Sequence, residues 1–197
     1  MTRQFSKTHI LVECAILAAL AFALAYVSDL FPFRMPLGGT ITFFSSAPII
    51  IASIRHGIKW GIPTALVFSF AQLLMGLKNF TYLPNSFWPV VGCAMLDYIL
   101  AFTVIGLAGA LYKCTKSQTK GIILAVLVTG FGRLFFSFLS GILLWGAFVA
   151  EDWTHGLVAW SLAYNAAWCV PDVILALIAV LVLTNVKPLK LLPNKNA

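Results

Sequence analysis

Six stretches of this chain are apolar for long enough to leave water, near residues 9–28, 41–54, 59–77, 88–112, 121–148 and 157–186, parted by clusters of charge, glycine and proline. A helix needs about 20 apolar residues to cross about 30 Å of hydrocarbon, and most of the runs meet that length. The run 41–54 is short, so it is expected to tilt little, to be extended by the Gly38-Gly39 loop, or to be partly re-entrant. Only 10% of the residues are charged against 61% hydrophobic, too few to clothe a water-soluble surface. These features predict an all-α integral membrane protein: a compact bundle of six transmembrane helices forming one domain over residues 1–197.

Orientation follows from the basic residues. One set of helix ends carries Arg3, Lys7, Arg55, Lys59, Lys113, Lys116, Lys120, Lys187, Lys190 and Lys195; the other carries Arg34 and Lys78 beside Asp29, Glu151 and Asp152. Excess Lys and Arg marks the cytoplasmic side, which places both termini there. The net charge of +7 therefore needs anionic lipid headgroups rather than nucleic acid, which would ask for basic residues on one face with aromatic platforms. The first run resembles a secretory signal in its basic start and its Ala23-Leu-Ala25 end, but its length and Glu13 within it favour a retained helix. Cys14, Cys93, Cys114 and Cys169 form no CxxC pair and no metal-ligand spacing, so packing roles and no metal or cofactor are expected.

Asp97 stands inside the run that begins at Trp88. A carboxylate in hydrocarbon costs roughly 2.5–3.5 kcal/mol on insertion scales, so it faces a protein interior or a wet cavity. At about 1.5 Å per residue it lies roughly 13 Å below Trp88, in the outer half of the membrane, with Tyr98 next to it. The fifth run carries Ser137, Gly141 and Trp145 at spacings of four, and the sixth carries Ser161, Asn165, Trp168 and Asp172 on one stripe with Trp160 and Tyr164 beside it. A carboxylate among indole and phenol rings suits a small organic cation, because ring faces attract positive charge and the acid neutralises it. Asn165 donates and accepts at once, which fits a heteroaromatic ring bearing nitrogen acceptors and an amino donor.

Each residue also has a plainer reading. Trp88, Trp153 and Trp168 fit an interfacial belt or packing, and Asn165 fits an interhelical hydrogen bond. Arg133 offers an ion pair to Asp97 or equally to Asp172. Tyr82 and Phe87 are candidates by position in the outer loop alone. Ala15, Ala19 and Ala23 make a smooth stripe on the first helix that permits close approach of another helix, within the bundle or from a partner.

The chain resembles the thiamine-specific substrate-binding (S) components of energy-coupling factor transporters over nearly its whole length. The resemblance is carried by the Ala15, Ala19, Ala23 stripe, Met35-Pro-Leu-Gly-Gly-Thr-Ile-Thr42, Leu96-Asp-Tyr-Ile-Leu-Ala-Phe102, Phe138-Leu-Ser-Gly-Ile-Leu-Leu-Trp145, and Trp160-Ser-Leu-Ala-Tyr-Asn165 with Val170-Pro171. It implies a bacterial cytoplasmic-membrane protein that captures thiamine outside and docks, through the alanine stripe, to a transmembrane coupling protein and two ATPases. It also implies that Asp97 meets the thiamine cation or its aminopyrimidine, Tyr98 lines the pocket, Trp145 stacks on a ligand ring and Asn165 reads the pyrimidine. Two positions depart: Ser137 stands where members carry His, and Trp160 where they carry Tyr. An S component for another small heterocycle is the alternative.

Other classes fit less well. There is no GxxxxGK[ST] loop to hydrolyse ATP, and no His-Glu-x-x-His, paired aspartates or Gly-x-Ser-x-Gly for an intramembrane enzyme. His9 and His56 fall at cytoplasmic ends and His155 in an outer loop, where solvation is expected. A self-sufficient secondary transporter or channel would carry repeats and ion-coupling carboxylates, and neither is evident.

Overall fold

Capping residues open the first and fifth of the long apolar runs, and glycine divides the second from the third. The chain is seen in a computed structural model that describes residues 6–31, 35–84, 86–149 and 153–185. Arg3, Arg34, Glu151, Asp152, Lys187, Lys190 and Lys195 lie outside the described residues. Helix α1 (Lys7–Asp29) starts where the Ser6 hydroxyl accepts from the His9 N–H at 3.2 Å. It is followed by α2 (Ser46–His56), α3 (Ile58–Gly76), α4 (Phe87–Lys113), α5 (Gln118–Leu143) and α6 (Gly156–Asn185). Gly57 takes φ +81 between α2 and α3, a left-handed conformation that glycine adopts without steric cost.

Five of these helices, α1, α3 with its 3-10 extension to Tyr82, α4, α5 and α6, are long and apolar enough to cross a membrane. The bundle wears its apolar side chains outward. Leu11, Ile16 and Leu20 on α1, Val67, Phe70 and Leu74 on α3, Phe131 and Phe135 on α5, and Ile174, Ile178 and Val182 on α6 are all exposed. The buried positions are rich in Ala, Ser and Thr, which let helices approach closely in lipid, where apolar burial alone gives no drive to associate. This is an integral membrane protein.

The second run departs from the expected span of 41–54. Helix α2 has 11 residues, about 16 Å of rise, and every residue from Ser46 to Ile54 is buried. Residues 41–45 are non-helical because their backbone is claimed from elsewhere: the Thr42 N–H donates to Asp172 Oδ1 at 3.0 Å and the Phe43 N–H to Ser28 Oγ at 2.8 Å. Phe44 then sits at φ +62, which a helix cannot accommodate. Irregular backbone at membrane depth is tolerated when protein satisfies it in this way.

Side-chain pairs identify the two sides of the bundle. Glu13 near the start of α1 faces Arg55 at 2.5 Å and His56 at 3.0 Å at the end of α2, while Asp29 at the end of α1 pairs with Lys78 beyond α3 at 3.3 Å. The first set is the lysine- and arginine-rich, cytoplasmic side. His56 is not solvated as its place in sequence suggested; its side chain is 3% exposed, held under Glu13.

Helix α4 is irregular through its middle. It is π-helical over Ala94–Leu100 and 3-10 over Val104–Leu107. The 3-10 stretch is where it presses on its neighbours: Ser53 Oγ donates to Gly106 O at 2.5 Å and accepts from Gly109 N at 2.8 Å. A Cβ on Gly106 would meet the backbone of Gly61 at 2.7 Å, so the close crossing of α3 and α4 requires glycine there.

Candidate ligand-binding pocket

A cavity of about 130 Å³ lies in the outer half of the bundle, and Asp97, Tyr98, Ser137, Trp145, Trp160, Tyr164 and Asn165 all line it. Asp97 reaches it from the π-helical stretch of α4, where the widened turn shifts side chains relative to an α-helix, a distortion that recurs at functional sites. Its Oδ2 accepts from Ser140 Oγ at 2.6 Å, Trp145 Nε1 at 3.1 Å and Cys93 Sγ at 3.4 Å. Three donors on one oxygen fix the carboxylate in orientation. Among the described residues no cation pairs with it.

Arg133 resolves the two pairings that sequence left open. Its guanidinium is bonded to Asp172 Oδ2, both side chains being buried, and it lies 4.4 Å over the Phe102 ring and 4.9 Å over the Trp168 ring. Asp172 Oδ1 holds Thr42 through both its N–H and its hydroxyl, the latter at 2.7 Å. One carboxylate thus binds a helix and a loop to α6, and the other faces the cavity.

Aromatic walls enclose the space. Trp160 and Tyr164 stack at 5.5 Å with planes 19° apart, and Tyr98 stacks on Phe80 at 5.8 Å. Tyr98 is further held by Asn79, whose Nδ2 donates to its hydroxyl at 3.1 Å. Trp145 is not on α5 as the spacing of four implied: the helix ends at Leu143 and the next residues turn the indole onto Asp97. Asn165 donates through Nδ2 to Ser161 O at 2.9 Å, leaving its carbonyl as the group to offer a ligand donor.

The roof is the segment 35–45 between α1 and α2. The Gly39 N–H donates to Tyr164 Oη at 3.1 Å, and a Cβ at Gly39 would stand 2.6 Å from the Trp168 ring, so only glycine lets the loop rest there. Leu37 at φ +67 and Phe44 at φ +62 hold conformations disfavoured for side-chain-bearing residues, and persist because Asp172, Tyr164 and Ser28 pin the loop between them.

Trp168, which the sequence left between the polar stripe of the sixth run and an interfacial or packing role, lines the cavity, and so do Gln72, Asn79 and Thr42, which the sequence did not single out as site residues. Gln72 had a readable signal, a polar amide in a membrane-spanning run. Thr42 had none, because its partner Asp172 is 130 residues away. Tyr82 and Phe87 are exposed and lie outside the cavity lining. Ala15, Ala19 and Ala23 are exposed on the outer face of α1, while Ala18, Ala21 and Ala25 face inward.

Fold and site together define a multi-pass membrane protein that shelters a small-molecule pocket, lined by Asp97 and several aromatic rings, toward its outer side. The chain belongs to the thiamine transporter protein family (Thia_YuaJ), which it matches over residues 11–192. It is similar to the thiamine transporter ThiT of Bacillus subtilis, 32% identical over 196 residues covering 94% of this chain and 95% of that one. ThiT of Lacticaseibacillus paracasei is 26% identical over 94% of this chain and 92% of its own length. A solved structure of ThiT from Listeria monocytogenes superposes with a TM-score of 0.68 at 26% identity, covering 93% of this chain and 97% of that one. The solved S component of a bacterial ECF transporter shares the fold, with a TM-score of 0.57 at 23% identity over 91% and 98% of the two chains.

Proposed function

We propose that this chain is the membrane-embedded capture subunit of an ATP-driven vitamin importer, binding thiamine from outside and docking to a shared coupling protein with two ATPase subunits. It acts as a binding protein and not as an enzyme. The observation that carries this reading is Asp97, a carboxylate in a membrane bundle that the protein orients with three donors and pairs with no cation among the described residues. Placing a fixed negative charge in an aromatic cavity is costly unless a cation arrives to meet it.

In this reading Asp97 neutralises the ligand cation or accepts from its amino group. Trp145 and the Trp160–Tyr164 stack supply ring faces, Tyr98 closes the α4 side, and the Asn165 carbonyl accepts from the aminopyrimidine. Ser137, buried on α5, leaves room where a larger side chain would fill. Energy comes from a partner, since the chain carries no phosphate-binding loop. The exposed Ala15, Ala19, Ala23 stripe is the surface offered to that partner, small enough for a helix to lie against it.

Isothermal titration of the detergent-purified chain with thiamine tests the reading, beside an Asp97→Asn variant that keeps shape and removes charge. Tight binding by the wild type and at least about a tenfold loss in the variant are expected, the scale of a lost hydrogen bond to a charged group. A folded wild type that ignores thiamine but binds a related heterocycle would instead support the alternative ligand class.

A further inference from the structure

The cytoplasmic end of the bundle holds a cluster of titratable groups that the pocket does not use. Glu13 on α1 meets the two residues that close α2: Arg55 Nε stands 2.5 Å from its Oε1 and His56 Nε2 3.0 Å from its Oε2. His9, one turn earlier on α1, brings a second imidazole to 3.9 Å from the same Oε2. Exposure is graded across the cluster: the His9 side chain is 56% exposed, Glu13 and Arg55 23% and 21%, and His56 3%. The gradient leads from the cytoplasm through the carboxylate to a buried imidazole.

One carboxylate cannot neutralise every cation at this end. Arg55 already pairs with Glu13, Lys113 on α4 brings its Nζ beside Gly57, the residue after His56, and Lys59 lies exposed in the first turn of α3. Cys14 and Tyr112, buried on α1 and α4, carry no charge in the neutral range. A protonated His56 would be a further cation with no counter-ion of its own, out of water. The negative end of the α2 dipole favours a cation here, but Arg55 shares it. Burial pushes the His56 imidazole below its ordinary range against the pull of Glu13, and Arg55 and His9 add to the push. The closed cluster therefore prefers neutral His56, whereas an opened one takes up a proton at the ordinary value, so the closed form loses ground as pH falls below about 6.5.

We propose that His56 is a proton-sensitive latch that fastens the inner end of α1 to α2 when neutral and releases it when protonated. Glu13 is the arm of α1 on which it closes, and Ala15, which opens the outer alanine stripe, follows two positions later. Release loosens the helix that bears the stripe. The step it governs is docking to the coupling protein, and its signal is acidification of the cytoplasm; thiamine capture, at the other end of the bundle, is spared. The docking half rests on the function proposed above, and the latch itself does not.

Amide hydrogen exchange on the full chain in lipid nanodiscs, at about pH 7.5 and about pH 5.5 and corrected for the chemical rate, tests the latch. The wild type should lose about tenfold in protection over residues 7–14 on acidification, the scale of one pKa unit, while residues 22–29 at the outer end of α1 keep theirs. His56→Gln, neutral at both pH values, should keep its protection throughout. NMR titration of the His56 imidazole in the wild type needs no variant to fold, and a midpoint below about 6.5 is expected. A midpoint above that value, pH-independent protection in the wild type, or an equal loss in His56→Gln would overturn the latch. Docking is read as recovery of the coupling protein and ATPases with the chain at the same two pH values. Several-fold lower recovery at the acid value, restored in His56→Gln, is expected. Equal loss in both proteins would overturn the docking half and leave the latch standing, and no assembly at either pH would overturn that half together with the function beneath it.

Discussion

A buried guanidinium can neutralise one carboxylate, and Arg133 neutralises Asp172 rather than Asp97. Breaking such a pair from one side leaves the other charge stranded in a medium that cannot solvate it. Asp172→Ala should therefore lower stability by about 3–5 kcal/mol, seen as an earlier unfolding transition in detergent, and the double variant Asp172→Ala with Arg133→Met should recover part of it. An unchanged transition in the single variant would show that the pair carries no such role. At Asp97 the relevant residue is Ser140, whose hydroxyl lies 2.6 Å from Oδ2. Ser140→Ala should leave the fold intact and weaken thiamine binding several-fold, about 1 kcal/mol, since the carboxylate keeps its charge but loses one of its orienting donors. Calorimetry on the variant decides this directly.

Helix α4 shows how an element can be shaped by neighbours rather than by its own composition. Its run from Phe87 to Lys113 is apolar enough to read as an uninterrupted membrane helix, yet it passes through π and 3-10 geometry. Ser53 on α2 bonds across to Gly106 and Gly109, and α3 presses against Gly106, so the tight crossing and the tighter turn occur together. Gly106→Ala would force that crossing apart, and a drop of some degrees in melting temperature is the expected result. Because the displaced helix also carries Asp97, thiamine affinity should fall with it. A Gly106→Ala protein with wild-type melting and affinity would show that the crossing is looser than the contacts require. Helix α2, by contrast, is short because Thr42 and Phe43 give their N–H groups to Asp172 and Ser28 instead of to a helical turn.

At the scale of the molecule, α1 presents two alanine stripes with different neighbours. Ala18, Ala21 and Ala25 are buried in the bundle, and Ala15, Ala19 and Ala23 are left outside. If the outer stripe is the docking surface, Ala19→Trp should keep thiamine binding by the isolated chain and abolish uptake in cells or vesicles that supply the coupling and ATPase subunits. Retained uptake would remove the stripe from that role. The class of protein was set by composition, because so few charged side chains cannot cover a water-soluble surface; five of the long helices and the cytoplasmic side followed from run length and lysine placement for the same local reason. Asp97 was legible because a carboxylate in an apolar run is costly wherever the run folds. What needed the tertiary structure were the relations between distant residues: Arg133 choosing Asp172, Thr42 bonding 130 positions away, and Gly39 resting on Trp168. Sequence carries the energetic cost of each polar group along a helix, but the partner that offsets it is chosen by how the helices pack.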